Sequence, residues 1–255
     1  LKDNAIPTDA EAVVIFSDTD MSDINTPGHA DIPANSAHAS LQDLISKWNQ
    51  IIRHEYTHTD PDICITLEPV DLPAATMTDT STHTVIDVLM TYPNGVRKMS
   101  KDIAGLVQTS LNLGILSTIK PDDQSTNGMV SFKSSVRSSI GSEKDALLNS
   151  LKSLATLAGG TLTVTGDYPA WEYREDSPLR DLMVKIFKQQ YGKEPVIQAL
   201  HAGVECGIFA SKLPGLDCVS FGPDMDDIHT TNESMNVESV RRTWKYTLKI
   251  LKELK

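Results

Sequence analysis

The chain has 255 residues, of which 40% are hydrophobic and 22% charged, a composition typical of a globular protein. Its formal net charge of −11 argues against a nucleic-acid partner, which would require a basic surface. We find no apolar run of 18 or more residues and no signal peptide, and the three cysteines form no C-x-x-C pair. These features predict a cytoplasmic protein in a reducing compartment, with no membrane partner.

The first 165 residues mix helical and extended patterns and contain many Thr and Ser. Apolar residues recur there either at helical spacing or in alternation. A capping box, Ser142 with Asp145, is predicted at the start of one helix. The mixture predicts an α+β domain over residues 1–165. The predicted elements are strand 11–16, helix 40–56, strand 63–67, helix 82–90, turn 93–95, strands 106–116 and 129–136, and helix 142–157.

Beyond residue 166 the pattern changes to a regular alternation of helices and strands. Such alternation is typical of an α/β domain. Gly and Pro residues between 160 and 170 indicate a boundary, so the second domain is predicted over residues 166–255. Its predicted elements are helix 178–191, strand 195–200, helix 203–212, strand 217–221 and helix 237–254.

Residues 54–58 (HEYTH) match the H-E-x-x-H pattern of zinc peptidases. On a helix this spacing places two imidazoles on one face, with a glutamate beside the metal-bound water. Here His54 and His58 fall in the last turn of the predicted helix, and no third histidine follows at the spacing of the metzincins. A solvated helix end explains the motif better than a zinc site does.

The segment 220–233 (SFGPDMDDIHTTNE) places His229 after a predicted buried strand and among carboxylates. A strand that ends in Gly, Pro, Asp and His is a common way for an α/β sheet to present a metal ligand. One histidine does not hold a catalytic metal, because zinc sites need three protein ligands and an open position. A loop histidine bonded to a neighbouring carboxylate is the alternative.

Three further residues have side chains or positions suited to binding. Arg137 lies among hydroxyl residues at 134–139 (SSVRSS), where a planar guanidinium suits a carboxylate clamp, although a surface arginine is the alternative. The amide of Asn4 suits a reacting carbonyl, although by itself it indicates a turn residue. Gly203 lies at a strand-to-helix junction that offers free N–H groups, and a tightly packed glycine is the alternative.

Taken in order, several segments resemble the aminoacyl-histidine dipeptidases, the Xaa-His dipeptidase (peptidase D) branch of the M20 metallopeptidases. The resemblance extends over almost the whole chain, and its strength lies in the order of short motifs that are individually weak. Small departures are Val204, where Leu is typical, and Thr231-Asn232 after the His-Thr pair. The matching segments are 4–7 (NAIP), 93–96 (PNGV) with 99–100, 134–139, 168–171 (YPAW), 201–207 (HAGVECG), and 222–223 with 229–233.

The resemblance implies a two-domain M20-like fold in which residues 1–165 form the lid, its start missing, and 166–255 the C-terminal part of an α/β catalytic domain. It implies two zinc ions per complete site, with Mn or Co as alternatives, and a homodimer formed through the lid. His229 then corresponds to a metal ligand, and Asn4, Arg137 and Gly203 to substrate contacts. The remaining metal ligands and the general base have no counterpart here, so no catalytic residue is assigned to this chain.

These inferences predict metal-dependent hydrolysis of Xaa-His dipeptides, including carnosine-like ones, by the complete enzyme. The isolated chain is predicted to be inactive, because one ligand does not assemble a metal pair. The first alternative is a non-catalytic dimerisation or binding module of the same fold. The second is an H-E-x-x-H zinc peptidase that uses His54 and His58.

Overall fold

The computed structural model describes residues 5–15, 37–119, 128–199, 205–228 and 230–254. The chain divides into two compact units, one comprising Leu1–Pro7 with His83–Lys255 and the other Thr8–Thr82. The boundary predicted near residues 160–170 remains a prediction.

In the unit Thr8–Thr82 the main element is helix α1 (Ala37–Glu55). The strand predicted at 63–67 does not form, because the main chain of Ile65 bonds to a side chain of this helix instead of a strand. The Asn49 amide donates to the Ile65 carbonyl at 2.8 Å and accepts from its N–H at 2.7 Å. The strand predicted at 11–16 is also absent over its described part, 11–15.

The other unit contains a three-stranded antiparallel sheet in the order β1-β2-β3, formed by β1 (Gly95–Met99), β2 (Val107–Ile119) and β3 (Met129–Ser138). Helix α2 (Asp79–Thr91) precedes it, and the predicted turn at 93–95 enters β1 through Gly95, whose φ of 94° suits glycine. The predicted strands 106–116 and 129–136 are confirmed as β2 and β3, whereas β1 was not predicted.

Helix α3 (Gly141–Leu157) covers one face of this sheet. Its Leu147 and Leu151 pack against Leu111 of β2, whose side chain is only 1% exposed. The predicted capping box at Ser142 is wrong: the helix begins one residue after Ile140, and no side chain caps it. Instead the first N–H of the helix, on Gly141, donates to the Glu172 carboxylate at 3.3 Å.

Three helices follow, α4 (Pro178–Tyr191), α5 (Glu205–Lys212) and α6 (Val237–Glu253). The sequence specifies the ends of α4, because the Ser177 hydroxyl caps its first turn, proline follows, and Gly192 ends it with a φ of 68°. Helices α4 and α6 enclose a small core of four buried side chains. These are Met183, Ile186, Tyr246 and Ile250.

The strands predicted at 195–200 and 217–221 do not form in the described residues. Both segments are extended, but their main chains make no backbone–backbone hydrogen bond to another described residue. A β-strand is defined by its hydrogen bonds to a neighbouring strand, so an apolar extended segment without such a neighbour is not a β-strand. Two short strands that were not predicted, β4 (Met225–Asp226) and β5 (Ser234–Met235), pair with each other.

Candidate binding face and the His229 loop

Arg137 lies on β3, opposite Ser110 of β2. Its neighbour Val136 faces helix α3, and since side chains alternate along a strand, Arg137 lies on the opposite face of the sheet. Arg137 is half-buried, and within the described part of the chain its guanidinium forms no hydrogen bond or ion pair. A half-buried cation without a local anion is well suited to bind an anionic group from outside.

The same face of the sheet anchors the N-terminal segment. Asn112 lies two residues beyond Ser110 on β2, and its side-chain amide donates to the carbonyl of Ala5 at 2.8 Å. Asn4 itself lies outside the described residues, so its predicted role is untested, but the residue that follows it is fixed on the face that carries Arg137. No local sequence pattern marks Asn112, because the contact joins residues 107 positions apart.

His229 also lies outside the described residues, but the hairpin around it is described. Strands β4 and β5 bring Asp226 opposite Ser234, and the described residues between them are 227–228 and 230–233. Asp227 has a φ of 52°, and its carbonyl accepts the Thr230 hydroxyl at 2.7 Å. The sequence therefore folds this loop locally, without a regular strand entering it at 217–221.

The acidic residues around the loop are partly neutralised. Asp224 forms an ion pair with Arg242 of α6 at 2.9 Å, and its main-chain N–H donates to the Ser239 hydroxyl. The carboxylate of Asp224 therefore connects the hairpin to α6. One of the acidic groups that the sequence places near His229 thus has a basic partner already.

Gly203, the third predicted binding residue, lies outside the described residues just before α5. The described helix α5 packs closely on the segment 169–170. A Cβ added at Gly207 would lie 2.7 Å from the Pro169 carbonyl oxygen, closer than a side chain tolerates. The adjacent Cys206 is a free thiol; its burial raises its pKa, and the neighbouring Cys218 raises that pKa further, so it is protonated at neutral pH.

Asp217 fixes the extended segment 217–222 to the start of helix α4. Its carboxylate accepts the Ser177 hydroxyl at 2.6 Å and the Leu179 N–H at 2.9 Å. Burial alone would raise the pKa of Asp217. The hydrogen bonds from Ser177 and Leu179 and the charges of Arg174 and Arg180 outweigh burial, so this pKa is lower than usual.

A cavity of about 960 Å³ opens between α4, α6 and the two extended segments at 195–199 and 217–222. Its walls combine aromatic and aliphatic side chains with a few polar groups. It is therefore large enough for a substantial apolar group or a polypeptide segment. Representative lining residues are Phe187, Tyr191, Val196, Ile197, Phe221 and Tyr246.

The described residues do not fit the metal pair that the sequence predicts. Among them, no three His, Cys, Asp or Glu side chains are grouped closely enough to hold a metal ion. The H-E-x-x-H motif is not arranged for zinc either, since α1 ends at Glu55 and His58 follows in a turn.

None of the helices in the described part of the chain has the length and apolar character that a membrane span requires.

Comparison with known proteins defines the class. The pattern of Peptidase family M20/M25/M40 matches residues 8–253. The chain is 33% identical to the Cytosol non-specific dipeptidase of Escherichia coli (strain K12) over 214 residues, 84% of this chain and 43% of that protein. The chain belongs to the M20 peptidase family.

Solved structures agree with this assignment. The chain matches the Aminoacylhistidine Dipeptidase from Vibrio alginolyticus with a TM-score of 0.77 and 30% identity, covering 87% of this chain and 44% of that one. Aminopeptidase PepT from Bacillus cereus shares the fold, with a TM-score of 0.51 and 19% identity over 66% of this chain and 44% of its own length. The chain spans less than half the length of these relatives.

Proposed function

We propose that this chain is part of a zinc-dependent M20 dipeptidase that hydrolyses Xaa-His and related unblocked dipeptides in the cytosol. Residues 1–165 would form the lid and dimer contact, and 166–255 the C-terminal part of the catalytic domain. Family membership and the names of the two dipeptidase relatives support this proposal. Zinc, or Mn or Co in its place, would supply the activated water, and His229 would be one of its ligands.

The observation that carries the proposal is the half-buried residue Arg137, whose guanidinium has no anionic partner in the described part of the chain. A dipeptide presents a C-terminal carboxylate, whose two oxygens match the planar guanidinium fork. Arg137 would hold that carboxylate, and Asn112 would keep the segment after Asn4 on the same face. Asn4 and Gly203 would then contact the rest of the dipeptide.

A chimera tests the activity directly. The region of the Escherichia coli relative that matches this chain is replaced by the chain itself, and zinc-dependent hydrolysis of Ala-His and β-Ala-His is measured. We expect turnover of dipeptides with a free C-terminal carboxylate and little turnover of their C-terminal amides. A folded, zinc-loaded chimera that hydrolyses neither dipeptide would contradict the proposed function.

The role of Arg137 is tested in the same chimera. Arg137→Ala should raise KM for β-Ala-His about 10- to 100-fold with a smaller change in kcat, because a charge-assisted hydrogen-bond pair to the substrate is lost. Arg137→Lys should recover part of the loss. The matched control is Arg97→Ala, an exposed arginine on β1 of the same sheet, which should leave KM unchanged. If the two alanine variants changed KM equally, Arg137 would not be the residue that binds the substrate carboxylate.

A further inference from the structure

Two of the three cysteines of the chain are neighbours in space. Cys206 is the second residue of helix α5, and Cys218 lies in the extended segment that follows this helix. Both are free thiols and are only partly buried. The Cys206 thiol donates a hydrogen bond to the sulfur of Cys218. The third cysteine, Cys64, is exposed and lies in the other unit.

Both thiols are carried by elements that are held in place by other contacts. Helix α5 packs so closely on the segment 169–170 that a Cβ at Gly207 would lie 2.7 Å from the Pro169 carbonyl oxygen. The extended segment is held on α4 by Asp217, whose carboxylate accepts the Ser177 hydroxyl at 2.6 Å. The two cysteines are therefore kept together by the fold, which lowers the entropic cost of joining them.

The connection between the two cysteines is short and folds locally. The Leu213 N–H donates to the Phe209 carbonyl at 2.9 Å, and the Leu216 N–H donates to the Leu213 carbonyl at 3.0 Å. Gly215 lies inside this turn with a φ of 85°, a conformation that suits glycine. The turn lets the chain return toward the start of α5 at Cys218.

We propose that Cys206 and Cys218 form a dithiol site that reacts with small-molecule disulfides such as oxidised glutathione and closes to an internal disulfide. In the first step one thiolate of the pair attacks a sulfur of the oxidant, which gives a mixed disulfide and releases one reduced glutathione. In the second step the other thiol loses its proton and attacks the mixed disulfide, and the second glutathione leaves. In total the chain gives up two electrons and two protons, and one oxidised glutathione becomes two reduced ones.

The order of attack follows from the ionisation of the pair. Burial raises the pKa of the Cys206 thiol, and so do its hydrogen bond to Cys218 and the negative charge of a Cys218 thiolate. Cys206 therefore keeps its proton while Cys218 is ionised. Because the thiolate is the nucleophile, Cys218 attacks first and Cys206 closes the disulfide. The dithiol site is independent of the proposed dipeptidase activity, since neither thiol is assigned to the substrate or to a metal.

Mass spectrometry of the full chain tests the site after treatment with oxidised glutathione in the presence of millimolar reduced glutathione. We expect the chain to lose two hydrogen atoms and to yield, on proteolysis, a peptide pair linked through Cys206 and Cys218. Two thiols held together by the fold have a high effective concentration, so the internal disulfide should replace the mixed disulfide. A mixed disulfide that persists at either position, or two thiols that stay reduced, would overturn the proposal. A disulfide to Cys64 or to a second chain would also overturn it.

Serine variants separate the roles of the two thiols. Cys206→Ser should retain the mixed disulfide at Cys218, because no second thiol displaces the glutathione. Cys218→Ser should form its mixed disulfide about 10-fold more slowly, because the buried Cys206 is less ionised. If the two variants reacted at the same rate, Cys218 would not be the attacking thiol.

Cys64→Ser is the matched control and should form the internal disulfide as the parent chain does. Circular dichroism before oxidation shows whether each variant is folded. The measurement on the parent chain decides the proposal by itself if a serine variant does not fold.

Discussion

Two regions of the molecule differ in how completely their extended segments are paired among the described residues. In the sheet region, β1–β3 with α3, every strand has a sequence-adjacent antiparallel partner, and Leu111 is fully enclosed. In the C-terminal region, the helices α4 and α6 pack together, but the apolar segments at 195–199 and 217–222 have no paired strand among the described residues.

The difference follows from topology. Antiparallel strands joined by short connections find their partners locally, so the sheet forms from one stretch of sequence. Segments that alternate with helices are expected in parallel sheets, where the neighbouring strand is distant in sequence. Among the described residues the strands of the sheet region are therefore paired with one another, whereas the extended segments of the C-terminal region are not paired.

The largest effect is expected in the core of the sheet region. Leu111→Ala should lower the free energy of unfolding by about 2–5 kcal/mol, because it leaves a cavity between β2 and α3. Urea unfolding followed by circular dichroism measures this change. Leu157→Ala, on the exposed side of α3, is the control and should stay within about 0.5 kcal/mol of the parent chain. A small effect at Leu111 would mean that the sheet region is not closely packed.

A smaller effect is expected where α5 meets the segment 169–170 in the C-terminal region. Gly207→Ala should destabilise the chain by about 1–3 kcal/mol, since the added Cβ would lie 2.7 Å from the Pro169 carbonyl oxygen. Gly222→Ala meets no atom within 4 Å and should be close to neutral. Thermal unfolding compares the two variants, and an unchanged Tm for Gly207→Ala would show that α5 is not held against this segment.

The smallest effect concerns Asp217 and depends on pH. The pKa of its carboxylate is lower in the folded chain than in the unfolded chain, where it is about 3.9. The stabilisation that the carboxylate provides is therefore complete above the unfolded-state pKa and is lost as the pH falls through the folded-state pKa. Asp217→Asn should therefore cost about 1–2 kcal/mol at pH 7 and progressively less below pH 4.

Urea midpoints at pH 7 and pH 3 test this sign. Asp181→Asn, an exposed acidic residue in the first turn of the same helix, should change stability by less than about 0.5 kcal/mol at either pH. If the loss of stability caused by Asp217→Asn grew as the pH fell, the folded chain would not stabilise the charged form of the carboxylate.

The sequence predicted the helices well because their signals are local. Helix α4 was predicted at its observed bounds, and α6 was predicted to end one residue beyond its observed end. The predictions of strands at 195–200 and 217–221 were wrong for the described residues. An apolar run indicates that a segment tends to pair as a strand, but it does not show whether a partner strand is present. The capping box failed because Ser142 lies inside the first turn of α3 and not before it.

The candidate site was only partly accessible from sequence. Arg137 was identified from its setting among hydroxyl residues, and the structure adds that it lies opposite the α3 face. Asn112 was missed because no local pattern marks a contact with Ala5. The roles predicted for Asn4, Gly203 and His229 stay predictions, since these residues lie outside the described part of the chain.

The most direct test of the central claim is to measure bound zinc by elemental analysis, together with Ala-His and β-Ala-His hydrolysis, for the purified 255-residue chain with added zinc. The claim is that this chain does not supply enough ligands for the catalytic metal site. It predicts almost no tightly bound zinc and no turnover by this chain alone. Stoichiometric zinc with dipeptide turnover would contradict the account, because the chain would then build a complete site by itself.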